Sequence, residues 1–279
     1  MKFYKPDNLN ELLGYINNLE NKFYLLAGGT DINVQIKNGF INDEEIIYIN
    51  HLDELRNIED SERELKLGTL VTFAEILNSD LISNNFPFLQ ESLKNFASPL
   101  LQNMATIGGN IANGSPTADV LPLLLVLEAK LELVSSNSSR VVEIKDYFTG
   151  YKKTLLKSDE IIKNIILSKD KYHLFTKKLY KKVGARNALT IAKAAIACLI
   201  KTNNQVIEDF VIAAGSLNEF ARRLYRVENY LIGKKFSELD YTEIETLLRK
   251  EITPISDIRS DKEYRFQVFY NLLENFLTV

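Results

Sequence analysis

The sequence predicts an α+β fold arranged in two domains. The chain has 279 residues, and at roughly 150 residues per domain this length suggests two domains. Short apolar segments typical of strands are mixed with amphipathic stretches typical of helices. A lysine-rich stretch at 163–182 separates a longer first region from a shorter second one that ends in helical patterns.

The composition excludes several classes of protein. Apolar residues make up 46% of the chain and include 13 Tyr and 15 Phe, enough for a large core, so extensive disorder is excluded. The net charge is −3, and no basic module with interleaved aromatic residues is present, which disfavours nucleic-acid binding. The amino terminus lacks the apolar segment of a secretory signal, and the longest apolar run, at 120–127, is too short to span a bilayer. We therefore expect a cytoplasmic protein with no membrane partner.

Cysteine and histidine are too scarce to build a metal site. The one cysteine, Cys198, lies in an apolar run at 194–200, where a buried and unreactive thiol is expected. A single cysteine can form no internal disulfide and cannot hold an iron–sulfur cluster by itself. The only histidines, His51 and His173, are far apart in sequence, so we expect no metal ligands and no catalytic histidine relay.

The first region shows alternating strand and helix patterns, punctuated by capping residues and turns. Its predicted elements, in order, are a strand at 3–4, a helix from Asp7 to about 20, a strand at 23–27, a helix from Ile32 to about Asn38, strands at 46–49 and 65–67, a helix capped by Thr72, a helix at 87–97, an apolar helix after Asp119, and strands at 130–134 and 141–144 around a turn at 137–139.

The second region predicts a hairpin followed by helices. Segments 189–201 and 205–214 flank Asn203-Asn204, which favours a hairpin turn. The run at 189–200 fits strand or helix by periodicity alone, and the adjacent turn favours strand. Three helical patterns close the chain, at 222–232, 237–251 and 260–277, with Gly233 suited to end the first of them.

Two glycine-rich segments share one pattern, an apolar lead-in followed by Gly-Gly and a polar residue. They are 25–32, with Gly28 and Gly29, and 106–110, with Gly108 and Gly109. Adjacent glycines let backbone N–H groups converge on an anion such as a phosphate. A plain turn is the alternative at each position. Neither segment matches a Rossmann or a Walker motif, so spacing alone gives only a weak nucleotide-binding signal.

Taken together, these motifs resemble a known family. Ala27-Gly-Gly-Thr-Asp31, Ala105-Thr-Ile-Gly-Gly-Asn110 and Ser115-Pro-Thr-Ala-Asp119 are similar to segments of the FAD-binding medium subunit of the xanthine dehydrogenase family of molybdenum hydroxylases. The resemblance continues through the segments at 146–162, 180–189 and 255–265, in order, over nearly the whole chain. It implies a lysine-containing strand at 180–189. One departure is the segment 216–223, which lacks a proline that is frequent in the family.

The resemblance implies a set of FAD contacts. The first loop would hold the diphosphate through backbone N–H groups, the second would add backbone and amide contacts, Asp119 would bind FAD hydroxyls, and Lys182 would lie near the flavin. Phe96 would line the site, with core packing as the equal alternative, and Ile162 would make an apolar contact. The implied cofactor-binding residues are Leu25, Leu26, Ala27, Gly28, Gly29, Thr30, Asp31, Ile32, Phe96, Thr106, Ile107, Gly108, Gly109, Asn110, Asp119, Ile162 and Lys182; no catalytic residue is implied.

The resemblance also implies an architecture and a role. It predicts a two-lobed FAD-binding domain of the vanillyl-alcohol-oxidase type at 1–170, with lobes at about 1–55 and 56–170, and a small α+β domain at 175–279. The chain would take electrons from 2Fe–2S clusters of a small partner subunit and pass them to NAD⁺ or another acceptor. A large partner subunit would carry the molybdenum cofactor. Two alternatives are a stand-alone flavin-dependent oxidase and a scaffold subunit that has lost FAD.

Overall fold

The computed structural model describes residues 1–19, 22–186 and 189–278. Within these residues the chain forms three main sheets and one short two-stranded sheet.

The first sheet is small and parallel, with strand order β1-β3-β2. Leu12, Leu13 and Ile16 of the first helix pack into a core beneath it. The cap of that helix is Asn8 rather than Asp7, because the Asn8 side chain accepts a hydrogen bond from the Glu11 N–H. The elements here are β1 (Phe3–Tyr4), α1 (Leu9–Asn18), β2 (Phe23–Leu26), α2 (Ile32–Lys37) and β3 (Glu45–Tyr48).

The second sheet has five antiparallel strands in the order β4-β5-β10-β6-β7, with helices packed against it. Thr72 caps its helix as predicted and forms a reciprocal capping pair with Glu75. The elements are β4 (Ile58–Asp60), β5 (Glu64–Gly68), α3 (Phe73–Asn78), α4 (Asp80–Asn85), α5 (Pro87–Leu93), α6 (Pro99–Met104), α7 (Ile107–Ala112), α8 (Val120–Val126), β6 (Lys130–Val134), β7 (Ser139–Glu143), α9 (Ile144–Tyr147), β8 (Phe148–Gly150), β9 (Lys153–Thr154) and β10 (Ile161–Ser168).

The helix predicted at 87–97 is shorter than expected. It ends at Leu93, and Ala97 has a φ of 50°, which a continuing right-handed helix cannot accommodate. The reversal lets Phe96 pack on Phe73 with ring centroids 4.0 Å apart.

The third sheet has four antiparallel strands followed by helices. The predicted hairpin is present, but its turn lies one residue later than expected, at Asn204 and Gln205, whose φ angles are 49° and 65°. Its first strand begins at Ala194 rather than 189, and Arg222–Arg223 pair as an edge strand, so the predicted helix at 222–232 starts only at Tyr225. The elements are β11 (Lys177–Val183), β12 (Ala194–Asn203), β13 (Val206–Gly215), β14 (Arg222–Arg223), α10 (Tyr225–Leu231), α11 (Tyr241–Glu251) and α12 (Lys262–Thr278).

The lysine-rich stretch is not the simple boundary that the sequence suggests. Most of β10 and most of β11 lie within it, leaving only the connection at 169–176 between the two sheets. Two of the four lysines of β11 place their ammonium groups on main-chain carbonyls. The Lys177 Nζ atom donates to the Phe276 oxygen, and the Lys178 Nζ atom donates to the Phe175 oxygen.

The third sheet is covered on both faces. On β12, Ile196 and Cys198 face α10, α11 and α12, whereas Ala197 and Leu199 face the core of the second sheet. Helix α8, whose seven residues are all buried, fills the space on this second side. Two-sided burial explains the unbroken apolar run at 194–200, which alternation alone would not predict.

Among the described residues, no helix has the length and apolar character needed to cross a membrane.

Candidate functional site

The first glycine-rich loop presents a row of backbone N–H donors. Strand β2 ends at Leu26, and α2 begins at Ile32. Between them Gly29 adopts a φ of +70°, the left-handed conformation that favours glycine. Within the described part of the chain, the six consecutive N–H groups of residues 27–32 have no hydrogen-bond acceptor. A half-buried run of such donors is suited to an anion.

The side chains of this loop add little to that donor set. Leu25 and Leu26 pair with β3 opposite Ile47 and Tyr48. The Asp31 carboxylate does not cap α2; it accepts a hydrogen bond from the Gln35 side-chain amide instead. The backbone of the loop, rather than its side chains, is therefore the anion-binding feature.

Gly28 brings the two predicted segments together. A Cβ atom on Gly28 would stand 1.6 Å from the carbonyl oxygen of Met104 and 3.3 Å from the Ala105 nitrogen. Only glycine allows this approach of two backbones. The first loop thus lies against the end of α6, directly before the second segment at 106–110.

The second segment is not an open loop, which corrects the expectation from the sequence. Ile107, Gly108, Gly109 and Asn110 form the first turn of α7, and Thr106 is its cap. Their N–H groups already donate within the protein, to the oxygens of Val71 and Thr69, the Thr106 hydroxyl and the Thr106 carbonyl respectively. Backbone contacts from 107–110 to a diphosphate are therefore disfavoured, since the donors are in use.

Gly108 has a packing role in this turn. A Cβ atom here would lie 1.7 Å from the Thr69 hydroxyl oxygen and 2.7 Å from the Thr69 carbonyl oxygen. The part of the segment left available is the side chain of Asn110, whose Oδ1 atom is buried and has no partner among the described residues. A buried amide oxygen without a donor is costly and suits a ligand that supplies one.

Asp119 and Lys182 form an ion pair that joins two regions of the chain. Asp119 immediately precedes α8, and Lys182 lies near the end of β11. The Lys182 Nζ atom is 2.5 Å from the Asp119 Oδ2 atom, and the side chains are only 10% and 13% exposed. Burial raises the pKa of Asp119 above its ordinary value, although the Lys182 ammonium opposes that shift.

Tyr180 contacts the same aspartate and was missed by sequence reasoning. Its hydroxyl donates to the Asp119 carbonyl oxygen at 3.0 Å. Tyr180 and Lys182 are two residues apart on β11 and so share one face of the strand. That spacing was the available signal: the resemblance implies a strand at 180–189, which places Tyr180 and Lys182 on one face, but it gives Tyr180 no role.

Phe96 and Ile162 lie in the core of the second sheet. Ile162 on β10 is 4% exposed and belongs to that core. Phe96 is only partly buried and packs against Phe73 with the two rings tilted. Among the described residues, no hydrogen bond or ion pair links Asp119 or Lys182 to either glycine segment. The site is therefore two clusters, the glycine segments and the Asp119–Lys182 pair.

The chemistry of these clusters fits FAD. The open N–H groups of 27–32 match an anionic diphosphate, while the Asp119 carboxylate accepts hydrogen bonds, as ribose or ribityl hydroxyls would require.

Comparison with known proteins gives a match along the chain. Residues 1–169 match the FAD binding domain in molybdopterin dehydrogenase, and residues 178–279 match the CO dehydrogenase flavoprotein C-terminal domain.

Individual relatives agree over nearly the full length. The glyceraldehyde dehydrogenase medium chain of Sulfolobus acidocaldarius is 30% identical over 95% of this chain and 93% of its own. The xanthine dehydrogenase FAD-binding subunit of Escherichia coli O157:H7 is 27% identical over 91% of this chain and 87% of its own. A solved structure of carbon monoxide dehydrogenase from Hydrogenophaga pseudoflava superposes with a TM-score of 0.92 at 25% identity, covering 100% of this chain and 96% of that one. The predicted resemblance and the two-part mixed fold are confirmed.

Proposed function

Because the chain belongs to the family of FAD-binding medium subunits of molybdenum hydroxylases, we propose that it is the electron-transfer subunit of a multi-subunit oxidoreductase in the cytoplasm. It would receive electrons from 2Fe–2S clusters of a small subunit and deliver them to NAD⁺ or another acceptor. Substrate oxidation would take place on a large subunit with a molybdenum cofactor.

The observation that carries the proposal is the open loop at 27–32. Its six N–H groups, which have no acceptor among the described residues, would form a preorganised site for a diphosphate, and Gly28 lies against α6 in this loop. The Asp119 carboxylate would accept from FAD hydroxyls, and Lys182 would supply a cation beside it. FAD, when bound, exchanges single electrons with iron–sulfur clusters and electron pairs with a hydride acceptor.

The need for partner subunits rests on what this chain contains. Each 2Fe–2S cluster needs four protein ligands, typically cysteines, whereas this chain has only Cys198, which is buried in the third sheet. Several relatives carry the names medium chain or FAD-binding subunit, which designate parts of larger enzymes. The histidines give no support to the stand-alone oxidase. The His51 Nε2 atom is 2.7 Å from the Pro6 carbonyl oxygen, and His173 is exposed near the connection between the sheets.

The first test is the absorption spectrum of the purified chain, followed by heat release and mass identification of the cofactor. The chain has no tryptophan, so the protein's own near-ultraviolet background is low. We expect a yellow protein that releases about one FAD per chain. A colourless chain that takes up added FAD would still support the site. A chain that neither carries nor binds FAD would contradict the proposal and favour a scaffold.

The second test concerns the partners. A tagged copy expressed from its native locus is purified under mild conditions, and co-purifying subunits are assayed for iron, sulfide and molybdenum. We expect that substrate added to the purified complex reduces the flavin of this chain and that NAD⁺ then reoxidises it. A chain that purifies alone and oxidises a substrate by itself would favour the stand-alone oxidase.

A further inference from the structure

We propose that Tyr180 is a positioning residue that holds Asp119 in place for FAD, so that the carboxyl-terminal region completes a site lying mainly in the amino-terminal region. The proposal rests on the proposed function, because it takes Asp119 as a ligand of FAD.

The geometry is a two-point clamp on one residue. Strand β11 approaches Asp119 with two side chains from the same face, and they reach different atoms. The Tyr180 hydroxyl donates to the backbone oxygen at 3.0 Å, and the Lys182 ammonium donates to the carboxylate at 2.5 Å. Two contacts from one strand hold both the main chain and the side chain of Asp119, whereas the lysine alone reaches only the carboxylate.

The helix that Asp119 precedes does not hold its side chain. Asp119 occupies the cap position of α8, but its side chain makes no capping hydrogen bond, and the segment before it contains the left-handed Gly114. The Tyr180 contact is durable, since burial raises the pKa of the phenol well above its ordinary value and the hydroxyl keeps its proton. The ring of Tyr180 also packs against the core of the second sheet, which restricts its rotation.

The supporting strand is itself held at its other positions. On the same face, Lys178 donates to the Phe175 oxygen and lies over the Tyr172 ring, and β11 pairs with β12 along all seven of its residues. A displacement of β11 would therefore shift Tyr180 and Lys182 together.

The test is a double-mutant cycle on FAD affinity in the full chain. Tyr180→Phe removes one hydroxyl and keeps the ring, and Asp119→Ala removes the carboxylate. We expect Tyr180→Phe to raise the FAD dissociation constant about fivefold, as the loss of one neutral hydrogen bond would. In the Asp119→Ala background the same change should have no further effect, because the group that Tyr180 positions is gone. Tyr172→Phe is the matched control, since it removes a hydroxyl that accepts from the Phe88 N–H elsewhere in the same core.

A second readout separates positioning from general stability. Hydrogen exchange of the FAD-free chain should accelerate around 117–121 in Tyr180→Phe but not in Tyr172→Phe, even if the two melting temperatures fall equally. An unchanged dissociation constant in Tyr180→Phe would overturn the proposal, and so would a fivefold effect that persists without the Asp119 carboxylate. If Asp119→Ala binds FAD as tightly as the wild type, Asp119 is not part of the FAD site. The proposed function then rests on the loop at 27–32 alone.

Discussion

Gly28 in the first loop lies so close to Met104 that a Cβ atom would stand 1.6 Å from the Met104 carbonyl oxygen. Two stretches of backbone, distant in sequence, are thereby held in contact beside the row of open N–H groups. The distance leaves no room for a side chain, so any substitution must move the loop.

Gly28→Ala should therefore weaken FAD binding at least about tenfold. The loop must move away from α6, and its N–H groups then no longer converge on one anion. Fluorescence titration of the FAD-free chain with FAD measures the effect. Gly14→Ala is the control. A Cβ atom on Gly14 meets nothing within 4 Å, so the same substitution inside α1 should stabilise the chain by about 1 kcal/mol and leave FAD affinity unchanged. Equal affinities in both variants would show that the Gly28 contact does not shape the site.

Gly108→Ala tests the other glycine pair. If 106–110 were an open anion-binding loop, this variant would lose FAD but stay folded. The close approach to Thr69 instead predicts that the FAD-free chain itself is destabilised. We expect a loss of about 2 kcal/mol in the unfolding free energy of the FAD-free protein, measured in urea. A variant that keeps full stability but no longer binds FAD would support the interpretation of 106–110 as an open anion-binding loop.

The contrast between these glycines shows what local sequence can predict. The strands and helices set by alternation and caps, such as β2, β3 and the helix after Thr72, lie where they were expected. The helical state of 107–110 was missed because Gly108-Gly109 lowers helix propensity, and the compensating contact comes from Thr69, distant in sequence. Tertiary contacts of this kind are invisible to a windowed pattern.

The two contacts on Asp119, from Tyr180 and Lys182, could not be predicted from the sequence for the same reason. The family motifs single out Asp119 and Lys182, but nothing in either motif says that they pair with each other. Strand β11 has lysine at four of its seven positions, so periodicity alone does not reveal it. The resemblance implies a strand at 180–189, but it does not say that the Tyr180 hydroxyl reaches Asp119.

Lys182→Met should make FAD binding sensitive to acid. Burial already raises the pKa of Asp119, and Lys182 opposes that rise, so removing the ammonium raises the pKa further. Binding that needs the ionised carboxylate is lost as the pH falls through that pKa, so the loss should begin at a higher pH in the variant than in the wild type. FAD dissociation constants measured from about pH 5 to about pH 9 give the two profiles.

The control is Lys181→Met, on the same strand but exposed on the opposite face. It removes the same charge without touching Asp119 and should retain the wild-type profile. Identical shifts in both variants would mean that general charge, rather than the ion pair with Asp119, governs the pH dependence.

Asp257 should govern the resistance of the carboxyl-terminal region to acid. Its carboxylate accepts from the Arg259 N–H at 2.8 Å and from the Arg265 guanidinium at 2.6 Å, and these contacts lower its pKa to about 2. Because the unfolded chain protonates this group near the ordinary aspartate value of 3.8, the stabilisation is complete above that pH and is lost as the pH falls towards 2. Asp257→Asn should lower the melting temperature at neutral pH, and the difference from wild type should shrink below about pH 4. Asp43→Asn, which removes an exposed carboxylate elsewhere, is the control for net charge. If the melting temperatures of Asp257→Asn and wild type differed by the same amount down to about pH 2, the ionised Asp257 would not be the source of the stabilisation.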